Sequence, residues 1–347
     1  MAVLQKSRQT IWLMLLLFVL GSNMILYHTD IGERVLQGAT NGVVIGSLID
    51  IVIIAPLLFL LWRKQKSIKV FVLLTATGLI AARFLIPMEY LEPYAAITWA
   101  GFAVEAGVVL LELLLIVTLF RFLPKIVKAT QKSKLPMLFG FSNAVDHYVK
   151  KHPIIHIICS EMLMFYYAFM SWRKKPNQND QTITLHKNSS YIAFQIMLIH
   201  AIVIETIGIH WWLHDKSILL SLVLLLFNIY SAIFFLADIQ AVRLNAVHID
   251  ESKFYISLGL IKRMEIKWEE IDEIITDKGI LKQKLTNDTI DFMAKDFEEV
   301  VPDVILKLNK PKEATLIMGI KKPYQKIAIK FDNYQLFLDE FRKYKNI

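Results

Sequence analysis

The chain has 347 residues, 55% of them hydrophobic, with a mean hydropathy of +0.46 and a formal net charge of +8 at neutral pH. Apolar content this high, gathered into runs of about 20 residues, excludes an ordinary water-soluble globule. The single cysteine, Cys159, excludes an internal disulfide and a cysteine-built zinc site. The basic residues stand mostly at the ends of apolar runs, which fits a lipid bilayer as partner and not nucleic acid.

Six segments have the length and apolarity of membrane helices: about 10–28, 41–62, 68–86, 95–120, 190–213 and 217–238. The first, preceded by Lys6 and Arg8, resembles a signal peptide but is followed by no small-x-small cleavage site, so an uncleaved helix is expected. Basic loops come after the second span (Arg63, Lys64, Lys66, Lys69) and the fourth (Arg121, Lys125, Lys128, Lys132, Lys134). The intervening loops are poor in Lys and Arg, which puts the N-terminus on the cytoplasmic side of a cell membrane. A seventh run, 153–172, is long enough to span but has Lys150 and Lys151 before it and Arg173, Lys174 and Lys175 after it. One solution makes 136–172 a re-entrant or interfacial hairpin, giving six spans and a cytoplasmic C-terminal domain. The other gives seven spans and places that domain outside. The first puts every basic cluster inside.

From Asn245 the pattern changes to a period of two: Phe254/Ile256/Leu258, Met264/Ile266/Trp268, Val304/Leu306/Leu308 and Ile327/Ile329/Phe331. These read as half-buried strands of a soluble sheet over 245–347. Asp332 with Gln335 three residues on makes a capping-box-like start to a final helix striped by Tyr334, Phe337, Leu338, Phe341 and Tyr344. The expected fold is thus an α-helical polytopic membrane bundle of six or seven spans, followed by a small α+β soluble domain. The run Pro302–Tyr344, with Asn309-Lys310-Pro311, the Gly-Ile-Lys-Lys loop at Gly319–Lys322, Asp332-Asn333 and the helix, resembles membrane proteins of Gram-positive bacteria that carry a C-terminal pleckstrin-homology-like domain. The resemblance covers about the last third of the chain. It implies a small antiparallel barrel closed by a helix, and no activity.

Charged groups inside spans cost a few kcal/mol each on insertion scales and need a reason. At about 1.5 Å per residue, Asp50, Glu105 and Glu205 fall at similar depth in the outer half of the bundle, with Arg83 near the end of its helix. They form a candidate intramembrane polar cluster, either an ion-pair network or a cavity, to which Glu112, on the same helix face as Glu105, is added. Asp238, and Glu161 beside Ser160, are further charged groups within apolar runs. His210 and His214, four apart, have the spacing of two ligands to a divalent metal such as zinc, and equally that of an interfacial aromatic belt with Trp211 and Trp212. Further ligands would come from His28, Asp30, Glu33, Glu89 or Glu92. Lys321, Lys322 and Lys326 are candidates to touch anionic headgroups.

Three functional classes are compatible with this pattern. The first is a membrane scaffold or regulatory protein whose C-terminal domain contacts lipid or a protein partner. The second is a membrane-embedded enzyme acting on a lipid-like substrate, with metal dependence as one version. The third, a transporter, lacks the inverted repeats and paired broken helices usual for that class.

Overall fold

The computed structural model describes residues 2–176 and 182–345, without the side chains of residues 2–8, 31, 33, 35, 37–40 and 345. The basic side chains of Lys6 and Arg8 and the carboxylate of Glu33 therefore lie outside the described residues. Two compact units divide the chain, Met1–Leu114 and Leu115–Ile347.

The first unit is helical: α1 (Ala2–His28), α2 (Asp30–Ile49), α3 (Ala55–Arg63), α4 (Ile68–Leu85), α5 (Met88–Leu91) and the beginning of α6 (Ala95–Lys132). A π-helical turn, Asp50–Ile54, joins α2 to α3. Lys64, at φ 54°, ends α3 in the left-handed conformation. Between apolar helices in lipid there is little hydrophobic drive, so close backbone approach at small residues has to supply the packing. Gly78 of α4 is such a place: a Cβ there would lie 2.6 Å from the Ile51 carbonyl oxygen. Gly101 of α6 likewise would bring a Cβ to 2.7 Å from the Ala76 carbonyl oxygen.

The second unit holds the rest of α6, then α7 (Met137–Tyr148), α8 (Pro153–Phe165, prolonged by a π-helical turn at Tyr166–Met170), α9 (Tyr191–His214) and α10 (Ile218–Leu244). Among the described residues seven helical segments are long and apolar enough to cross a membrane: Gln9–His28, Asn41–Arg63, Ile68–Leu85, Met88–Lys132, Pro153–Met170, Tyr191–His214 and Ile218–Leu244. These match the expected spans and make the protein compatible with a multi-pass membrane protein. Helix α6 runs well past the expected end at 120 because its last turns are amphipathic. Leu119, Ile126 and Thr130 are buried, while Arg121, Lys125, Lys128 and Lys132 stay exposed.

The strands are β1 (His248–Ile249), β2 (Lys253–Leu258), β3 (Lys262–Lys267), β4 (Ile271–Ile275), then α11 (Lys278–Leu281), β5 (Thr289–Phe292), β6 (Val304–Leu316), β7 (Lys321–Ile329) and α12 (Tyr334–Lys345). They form one sheet in the order β1-β2-β3-β6-β7-β5, with β4 paired to the first half of β6. All pairs are antiparallel except β5 with β7. The sheet is open: β1 is two residues long, and among the described residues no ladder joins β1 to β5. One face carries the core expected from the period of two, where Phe254, Trp268 and Ile329 pack with Phe337 and Phe341 of α12. Trp268 lies 5.0 Å from Phe254 and 5.6 Å from Phe341, ring centre to ring centre.

Two expectations change in detail. Strand β2 is buried on both faces, since Tyr255 enters a second core with α7, α8 and the end of α10. The final helix is capped by Asn333, whose Oδ1 accepts from the Leu336 N–H at 3.1 Å, and not by Asp332. Asp332 instead accepts from Thr184 Oγ1 (2.6 Å) and from the N–H groups of Lys187 and Asn188 (both 2.9 Å). It thereby pins an extended stretch whose Ile183 and Leu185 complete the sheet core.

Candidate functional site

The helical layer of the second unit meets the sheet at two hairpin turns that lie side by side, because β3 pairs with the end of β6 at Lys262↔Leu316 and Arg263↔Thr315. Each turn carries a glycine in the left-handed region. Gly259 (φ +56°), between β2 and β3, rests on α10, where an added Cβ would collide with the carboxylate of Asp238. Gly319 (φ +74°), between β6 and β7, rests on α8, where a Cβ would stand 2.5 Å from the His156 carbonyl oxygen. An L side chain would be strained at both places and would have no room.

Asp238 is fully buried, at 0% exposure. Its Oδ2 accepts from Tyr191 Oη and Gln195 Nε2 of α9, each at 2.7 Å. Oδ1 accepts from the Leu260 backbone N–H at 2.7 Å. A carboxylate taken out of water needs donors on its lone pairs, and here the helical hairpin supplies two and the sheet one.

Helix α8 is held to this junction at both ends. Its first turn lies under Gly319. At its far end Tyr167 hydrogen-bonds Asn245, just past α10, at 3.1 Å, and Arg243 Nη2 donates to the Lys174 carbonyl at 3.4 Å. Ile155, Cys159, Leu163 and Tyr167 are buried between, while Ile157, Phe165, Phe169, Met170 and Trp172 are exposed. The chain after α8 then returns to the sheet through Ile183 and Leu185.

Beside the same turns a cleft of about 570 Å³ opens between α7, the start of α8 and the sheet. Its charged lining is mostly spoken for: Asp146 pairs with Lys151 at 3.4 Å, Glu265 with Lys253 at 2.5 Å, and Lys312 with Glu270. Arg263 and Lys321 are the exceptions among its cations. No carboxylate lies within 4.0 Å of either among the described residues. Among the described residues Arg263 Nη2 donates to Ser142 Oγ, at 3.1 Å. Burial pulls its guanidinium down to about 10, so it remains charged at neutral pH. His156 stands within electrostatic reach of Lys321, Arg263, Asp146 and Lys151.

The residues singled out from the sequence fall in both units. In the first unit Asp50 accepts from Asn23 Nδ2 at 3.4 Å and Glu105 from Thr77 Oγ1 at 2.9 Å. Arg83 lies over the Trp99 ring at 4.6 Å and donates to Thr98 Oγ1 at 3.4 Å. No carboxylate stands within salt-bridge distance of Arg83, and Glu112 has no polar partner, among the described residues. In the second unit Glu205 is exposed. Glu161 receives the Tyr230 hydroxyl at 2.9 Å. His210 Nδ1 shares a 2.7 Å hydrogen bond with Ser221 Oγ, and its ring is 5.6 Å from that of His214. Among the described residues no group of three His, Cys, Asp or Glu is placed to hold a metal ion. Of the three lysines, Lys321 lines the cleft, Lys322 lies over the Tyr324 ring at 5.1 Å, and Lys326 is registered opposite Lys307 in the body of the sheet.

Arg263 was missed because it alternates with Met264 and Ile266 and so reads as a solvent-facing strand residue. No family model, curated protein or solved structure matches this chain.

Proposed function

We propose that this chain is a multi-pass scaffold or regulatory protein of the cell membrane, whose C-terminal sheet, with the helix packing of a pleckstrin-homology-like domain, rests on the bilayer and takes up a lipid or protein partner there. The observation that carries the reading is the turn between β6 and β7. It exposes Ile317 (40%), Met318 (43%) and Ile320 (54%) directly before Lys321 and Lys322, while its glycine is locked against α8. Exposed apolar residues followed by lysines suit a surface that is lipid below and anionic headgroup above. The outward face of α8, with Phe165, Phe169, Met170 and Trp172, extends the same apolar surface.

A helix whose two ends are both tied to one sheet and one helix end suits a hairpin lying in the interface better than a span. With α7–α8 interfacial the spans number six, and both the N-terminus and the sheet are cytoplasmic, in accord with the basic flanks of 153–172.

The test is depth. A fluorophore on Met318→Cys, in a Cys159→Ser background and neutral nanodiscs, should be quenched by lipid-borne nitroxide and protected from an aqueous quencher. The reverse pattern would retire the reading.

A further inference from the structure

We infer that the cleft between α7, the start of α8 and the β3/β6/β7 end of the sheet binds a phosphate-bearing ligand, gripped by Arg263 and Lys321. The inference deepens the proposed function by naming the chemistry taken up at the membrane. Three observations carry it together. First, the cleft is large enough for a phosphate with its substituent, at about 570 Å³. Second, its two uncommitted cations come from β3 and the start of β7, the strands on either side of β6, where both are registered against Thr315, and they line one cavity with His156. Third, the carboxylates that would ordinarily answer them are engaged: Asp146 by Lys151 and Glu265 by Lys253. Glu313 is the remaining acid, and it stands exposed at the rim.

Arg263 is half-buried and lines the cleft with one donor used, so the rest of its fork is open to an anion that enters there. Its planar fork matches two oxygens of a phosphate, and a lysine supplies a point charge beside it. Asn143 and Thr315 in the lining offer neutral donors of the kind that complete such a site. Lys321 also comes directly after Ile320 of the exposed turn, so a lipid phosphate and a soluble phosphate ester both have access. The shared group is the phosphate.

The experiment is native mass spectrometry of the full chain in neutral detergent, titrated with short-chain phosphatidylglycerol and, separately, with inorganic phosphate. The wild type should bind at least one probe. Arg263→Gln should weaken binding at least about tenfold, the loss of one charge-assisted pair. Arg263→Lys should recover part of it, Lys321→Gln should lose several-fold, and Lys282→Gln, exposed and away from the cleft, should bind as the wild type. Binding of the lipid alone assigns a headgroup, and competition by inorganic phosphate assigns a free ester; both support the site. If Arg263→Gln fails to fold, Arg263→Lys and Lys321→Gln decide. No binding of either probe, or binding indifferent to Lys321→Gln and Arg263→Lys, overturns the inference. A label at position 318 that sits in lipid while no phosphate binds would remove this inference and leave the proposed function standing.

Discussion

Replacing Asp238 by leucine should be among the most damaging single changes in the second unit. The carboxylate answers three buried donors, the Tyr191 hydroxyl, the Gln195 amide and the Leu260 N–H, all at 2.7 Å. Each donor left unsatisfied costs about 1–3 kcal/mol, so the total is roughly 3–9 kcal/mol. For a unit of this size about 2–4 °C accompanies each kcal/mol, so the thermal midpoint should fall by about 6 °C or more. Asp238→Asn is expected to behave differently. The new amide would face two donors, but Gln195 Oε1 has no partner in the native arrangement. Turning the Gln195 amide over presents that oxygen to the new N–H, and the Tyr191 hydroxyl is free to rotate. Neutral bonds replace charged ones while the charge no longer has to be kept from water, which leaves about 1–2 kcal/mol. Tyr191→Phe should cost stability in the native background and nothing further in Asp238→Leu, because the hydroxyl it removes is already stranded. Midpoints from a thermal melt of the purified full chain in detergent measure all four variants. An Asp238→Leu protein within about 1 °C of native, or an Asp238→Asn protein as damaged as Asp238→Leu, would refute the reasoning.

In the first unit, Gly78→Val should disrupt the crossing of α4 with the Asp50–Ile54 turn, since even a Cβ would stand 2.6 Å from the Ile51 oxygen; loss of monodisperse protein on size exclusion checks it. A cysteine at the exposed position 284, with Cys159 replaced by serine, should react with a membrane-impermeant maleimide only after cells are opened, and labelling of intact cells would place the sheet outside. Burial holds His186 and His248 below their ordinary 6.5. The unfolded chain therefore takes up protons first, and stability present above pH 6.5 is lost as pH falls through the lower folded values. The thermal midpoint should drop between pH 7.5 and pH 5, and His186→Gln should flatten part of that slope.

The membrane helices could be read from the chain because the bilayer imposes one demand, about 20 apolar residues, and leaves it visible in every span. The sheet's core was readable for a related reason: Phe254, Ile256 and Leu258 alternate as a half-buried strand requires. The cover on the other face could not be read. Lys253, Tyr255 and Ser257 look like a wet surface until α7 and α8 are laid on them, and that placement depends on tertiary contacts at Gly259 and Gly319. The cleft with Arg263 depends on the same placement. The closed barrel was overdrawn because periodicity reports faces and says nothing of whether edge strands meet. Asp332 shows how a local rule loses to a distant one: a serviceable cap in sequence is claimed by the 184–188 stretch, and Asn333 caps in its place.

The divided ownership of Asp238 has a consequence in time. Tyr191 and Gln195 precede it in the chain, so as α9 and α10 pair during synthesis one oxygen of the carboxylate is answered at once. The other waits for Leu260, which lies 22 residues further on and in a turn that exists only once β2 and β3 have paired. Until the strands fold, the last helical hairpin carries an unfinished charge at its end, and a chain truncated before that turn never completes it. Maturation of the membrane part thus depends on the folding of the first strands of the sheet, so nascent chains stopped at residue 250 should be cleared faster than chains stopped at any later point beyond the β2–β3 turn.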